Sequence, residues 1–146
     1  LLLIAALHLA PAHAVLGGDS ASIEADRSYL KVTLAARREL AANGSYTMHE
    51  MVLPSGVLIR QYVSASDKVF AITWVGPFMP DLRRLLGPYF DIMNARTASQ
   101  PRVGHSVVTQ HEPDLVIESG GHPRSFAGRA YLPQAIPAGV DMQEIH

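Results

Sequence analysis

The chain has no cysteine, so no disulfide staples its fold and no thiolate is present to act as nucleophile or metal ligand. It lacks a run long enough to cross a bilayer. A spanning helix needs roughly 20 apolar residues, and the stretch LLLIAALHLA stops at Pro11 after about half of that. Charge of one sign is missing too. Twelve Lys and Arg stand against thirteen Asp and Glu, a formal net charge of −1, which offers no electrostatic footprint for nucleic acid or for an anionic membrane. No internal repeat, heptad or low-complexity tract is present, and the one linker-like stretch is NARTASQPRVG, Asn94 to Gly104.

What is there begins with the leucine-rich start. Pro11 is followed by Ala12-His13-Ala14, a small-x-small triplet that fits a signal-peptidase site, with cleavage between Ala14 and Val15. No Met and no basic stretch precede the apolar run, so Leu1 is read as lying inside a longer leader. No Cys near the cleavage point can carry a lipid anchor. The expected mature chain is Val15 to His146, 146 − 14 = 132 residues, one soluble domain without stable membrane insertion. A domain of that size buries roughly two-thirds of its surface on folding and needs no staples. Gly17-Gly18-Asp19-Ser20 reads as a flexible leader into a helix.

From Ser20 to about Leu40 the Ala, Leu, Glu and Arg content, with Ile23, Arg27, Leu30 and Leu34 on one face, predicts a helix closed by Asn43-Gly44. Asn43-Gly44-Ser45 also has the form of a glycosylation sequon, but the turn reading is preferred. Three β-rich runs then fill Tyr46 to Pro77. Leu53-Pro54-Ser55-Gly56 suits a type I turn with a Gly bulge, which sets Leu53 against Val57, Met51 against Ile59, Glu50 against Arg60 and Met48 against Tyr62. A second turn at Ser64–Lys68 is expected to bring Tyr62 beside Phe70 and Arg60 beside Ile72. Alternation places Tyr46, Met48, Val52, Leu58, Tyr62, Phe70, Ile72 and Trp74 on one face with Glu50 and Arg60. His49, Met51, Leu53, Val57, Ile59, Val63, Val69, Ala71 and Val75 take the other. Both faces are apolar, so both need cover or a partner.

A helix is expected from Pro80 and Asp81, interrupted at Gly87-Pro88 into a kink or two short helices. Beyond it lie a weak strand at Ser106–Gln110 and a hairpin of Asp114–Ser119 with Ser125–Leu132, joined by Gly120-Gly121-His122-Pro123-Arg124. An extended tail follows through Pro133 and Pro137, with a capping-box helix start at Asp141. The expected fold is α+β: an antiparallel sheet of about five strands, a three-stranded meander plus a hairpin, with an N-terminal helix and a kinked central helix packed on it.

The segments VLGGDSASIEAD, YTMHE, LPSGVLIRQYVS, VFAITWVGPFMPDLRRLLGPYF, SGGHPRSFAGRAYLP and IPAGV together resemble a family of small exported bacterial proteins, the domain of unknown function numbered 2844. The resemblance covers nearly the whole mature chain. It implies a Gram-negative envelope protein, periplasmic or secreted, and brings no activity or site residue with it.

Chemical motifs are sparse. His49-Glu50 lacks the second His of H-E-x-x-H, since position 53 is Leu, and on a strand the two side chains point apart. A lipase-type G-x-S-x-G is absent, as are phosphate-loop and dinucleotide patterns. His105 and His111, with Glu112 and Asp114 nearby, offer at most a surface metal site, and scattered loop histidines are usually solvated. Four residues remain as binding candidates. His122 and Arg124 sit on a glycine-rich turn whose simpler reading is a hairpin connection. Glu50 and Arg60 form a cross-strand pair amid aromatics, either structural or the edge of a shallow groove for a ligand or partner. Trp74 and the tyrosines read as core. No catalytic residue, metal ligand or cofactor is assigned. The reading that follows is a non-enzymatic periplasmic binding or assembly module whose partner is an envelope protein or small ligand. The alternative is a small hydrolase or metal-binding enzyme using His105, His111 or His122; a third reading is a structural envelope protein that dimerises through an apolar sheet face.

Overall fold

The computed structural model describes residues 16–29, 32, 37–99 and 108–146. In chain order the elements are α1 (Ser20–Tyr29), β1 (Arg37–Leu40), β2 (Tyr46–Val52), β3 (Leu58–Ser64), β4 (Val69–Gly76), α2 (Leu82–Leu86), α3 (Pro88–Ala98), β5 (Val108–His111), β6 (Val116–His122), β7 (Ser125–Tyr131) and a 3-10 turn at Pro133–Ala135. The class is α+β, but the sheet has seven antiparallel strands in the order β1-β2-β3-β4-β7-β6-β5 rather than about five. The two strands beyond the meander and hairpin are the edges: β5 overlaps the weak strand expected at Ser106–Gln110, and β1 is the unexpected one. The expected helix to Leu40 stops at Tyr29, and Arg37–Leu40 pairs with β2 instead, tertiary pairing overriding helical composition. Leu30 and Leu34, placed on that helix, lie outside the described residues.

The β2–β3 hairpin has the expected register. Leu53 N donates to Val57 O at 2.8 Å, Gly56 stands at φ +85°, and Glu50 faces Arg60. The next hairpin departs from expectation. Val63 pairs with Val69 and Tyr62 with Ala71, leaving Phe70 as the extra residue of a bulge, so Arg60 opposes Thr73 and not Ile72. A bulge flips every residue beyond it. Ile72 and Trp74 therefore join Met51, Val57 and Ile59 in the main core, while Phe70 and Ala71 pack with Tyr62. Val75, expected on the opposite face, comes to lie on the face of Glu50 and Arg60.

One face of the sheet carries the helices. Gly87, at φ +53°, separates α2 from α3, Pro88 opens α3, and Asp81 caps α2 by accepting from Arg84 N, so two short helices replace one. Asp26 on α1 is 1 % exposed and binds Arg84 through Nε at 3.1 Å and Nη2 at 2.5 Å. Gly17-Gly18 is not a loose leader. Leu16 N donates to Leu85 O, Gly17 N to Val69 O and Val69 N to Gly18 O, which seats the Leu16 side chain in the core at 1 % exposure.

The opposite face is crossed by the tail. No helix forms at Asp141; a single turn, with Gln143 N donating to Asp141 Oδ1 and Glu144 N to Asp141 O, drops Ile145 onto Tyr62, Phe70 and Ala71, where it is fully buried. The β6–β7 connection is also shorter than expected. Both strands continue to His122 and Ser125, leaving Pro123-Arg124 as a two-residue turn with Arg124 at φ +71°, the positive φ that the third position of a type II turn requires.

Candidate functional site

The tail-crossed face is ordered in rows, because residues two apart on a strand share a face and antiparallel partners stand opposite. The central row reads Glu50, Arg60, Thr73, Arg129, Glu118 across β2, β3, β4, β7 and β6. It extends to Arg37 on β1 and Thr109 on β5 by backbone register. The five central residues form a palindrome about Thr73. Arg60 Nε donates to Glu50 Oε2 at 2.8 Å, and Arg129 Nε to Glu118 Oε2 at 2.6 Å. Each guanidinium then holds the tail: Arg60 Nη1 donates to His146 O at 2.5 Å, and Arg129 Nη1 to Met142 O at 2.6 Å and Ile145 O at 3.4 Å. The Tyr62 hydroxyl also donates to His146 O, at 3.2 Å. His111 Nε2 lies 3.0 Å from Glu118 Oε1, an ion pair when the imidazole is protonated.

The electrostatics follow the pairing. The hydrogen bond from Arg129 holds the Glu118 carboxyl below its ordinary value, outweighing its partial burial. Glu50 in the same way holds Arg60 more firmly protonated. Burial raises the Tyr62 phenol, opposed by its hydrogen bond with Thr73.

On the side of this row away from the tail's apolar anchor, the next row is Val52, Leu58, Val75, Ala127, Gly120. It carries no charge, and Val52 and Val75 are 36 % and 47 % exposed. The sheet there forms the floor of a cavity of about 540 Å³, with Leu58, Val75 and Ala127 at its base, Arg60, Arg129 and Glu118 along one side, and Ile145 and His146 from the tail. Such a volume lies within the range of small-molecule sites. A second hollow of about 530 Å³ opens on the other side of the tail, between Tyr46, Met48, Tyr62 and Glu144, and shares Arg60 and His146 with the first.

Of the sequence candidates, Glu50 and Arg60 are brought together as expected and border this space. His122 and Arg124 are exposed at the β6–β7 turn and line neither cavity; His122 stands two residues beyond Gly120 on the same strand. His105, Ala14 and Val15 lie outside the described residues. Among the described residues no group of three His, Asp or Glu side chains is placed to hold a metal ion, and no helix is long and apolar enough to cross a membrane. Sequence reasoning missed Glu118, Arg129, Thr73 and the tail oxygens. The signal for the first two was available, since a two-residue turn at Pro123-Arg124 sets Glu118 against Arg129.

The family described as "Protein of unknown function (DUF2844)" matches residues 12–145. The chain belongs to that family. No curated protein matches the chain, and no solved structure does.

Proposed function

We propose that this member of the DUF2844 family is an exported envelope protein, periplasmic or secreted, that binds a small ligand on the tail-crossed sheet face and does not transform it. The observation that carries the reading is the 540 Å³ apolar cavity beside charged groups that are already satisfied. Each arginine there has a carboxylate and a tail oxygen as partners, so the groups fix a shape rather than stand ready for proton transfer or nucleophilic attack. Export is supported by the leader sequence, whose apolar run ends at Pro11 ahead of the small-x-small triplet Ala12-His13-Ala14.

Recovery of the protein from an envelope fraction tests both halves. N-terminal sequencing is expected to begin at Val15, and native mass spectrometry to detect a small-molecule adduct that Val75→Arg removes. A start at Leu1, or an adduct-free protein whose envelope partner is a macromolecule bound elsewhere, would overturn the reading.

A further inference from the structure

We infer that the cavity takes a single linear acyl chain, laid across the strands along the uncharged row with its oxygen-bearing head turned to the arginines. This rests on the ligand-site reading above and deepens it. Shape is the first argument. Within the cavity the row crosses four strands, from Leu58 to Gly120. Three gaps of about 4.8 Å make a track of about 14 Å, while same-face rows lie only about 7 Å apart along the strands. A track that long and narrow, bounded by a charged row on one side, matches an extended chain better than a fused ring system. The floor deepens where Ala127 and Gly120 replace the larger Leu58 and Val75.

Chemistry is the second argument. An extended peptide in the same track would lay unpaired amides on an apolar surface, since the strand backbone beneath is engaged in the sheet ladders. An acyl chain has no such groups to satisfy. Its head carries an oxygen acceptor, carboxylate or carbonyl, and Arg60 and Arg129 already accommodate acceptors of that type from the main chain of the tail.

The full chain is titrated with sodium dodecanoate below its micelle concentration, with lysophosphatidylglycerol as a second arm and the compact dye N-phenyl-1-naphthylamine as a third. The expected result is saturable binding of one dodecanoate per protein by native mass spectrometry. Ala127→Leu and Val75→Asp, both at exposed positions, should each weaken it by roughly tenfold or more while keeping the wild-type circular dichroism spectrum and melting temperature. Lysolipid binding in addition identifies the chain of a membrane lipid as the source; dodecanoate alone identifies the free acid. Binding of the dye without dodecanoate overturns the acyl assignment and leaves the ligand site standing. If none of the three binds, both fall. Wild-type affinity in both variants removes the chain from this track.

Discussion

Glu118 is shared between two partners, Arg129 at 2.6 Å and His111 at 3.0 Å, and its depressed carboxyl value makes it a source of pH dependence. A group held below its ordinary value in the fold contributes stability above the unfolded value, and that contribution is lost as pH falls through the folded one. The urea midpoint should therefore fall on acidification below about 4.5, the ordinary Glu value, and Glu118→Gln should flatten that fall. Gly128 makes a different demand on its neighbours. A Cβ there would come within 2.4 Å of Trp74 Cζ2 and 2.8 Å of Glu118 O, so Gly128→Ala should cost about 1–3 kcal/mol by overpacking, read as a lowered urea midpoint together with a changed Trp74 emission spectrum. Neither residue stood out in the sequence. Glu50–Arg60 did, because Pro54 and Gly56 leave one sensible register. The run Gly120 to Arg124 invited a five-residue loop and hid the equivalent pair.

At the scale of the element, the tail does the work of a helix layer with far less material. One side chain, Ile145, closes the minor core over Tyr62, Phe70 and Ala71, while arginines on β3 and β7 hold the main chain either side of it. Ile145→Ala should cost about 2–5 kcal/mol, measured by urea denaturation, with hydrogen-exchange protection lost first in residues 140–146. None of this was legible beforehand, since the Asp141 pattern serves a helix cap and an isolated turn equally well. β4 shows the same limit. Its composition marks it as a buried strand, yet the face of Ile72 and Trp74 depends on the bulge at Phe70, which the Ser64–Lys68 turn leaves undetermined. The seven-residue stretches β2 and β3 were read correctly because a tight turn and an alternating pattern agree there. β1, with four residues of helix-favouring sequence, exists only by virtue of its partner.

The sheet is two antiparallel sets of strands joined along one seam. β1 to β4 are consecutive, β5 to β7 run back from the far edge, and the halves meet where Ala71–Gly76 pairs with Phe126–Tyr131. A chain cut between Ser99 and Val108 divides at that seam without breaking any strand among the described residues. The two pieces, mixed in equal amounts, should reassociate and regain the native Trp74 emission and a single cooperative melt; pieces that stay apart in a sedimentation run would show that the seam needs the covalent link.

The order of manufacture gives the seam a further consequence. Val69 to Trp74 is buried along its whole length, yet its partner β7 begins roughly fifty residues later in the chain. At about 5–20 residues per second a ribosome takes roughly 3–10 s to supply that partner. For that interval the greasiest ribbon of the protein has a bare flank, and a holdase escorting the nascent polypeptide would find its grip there.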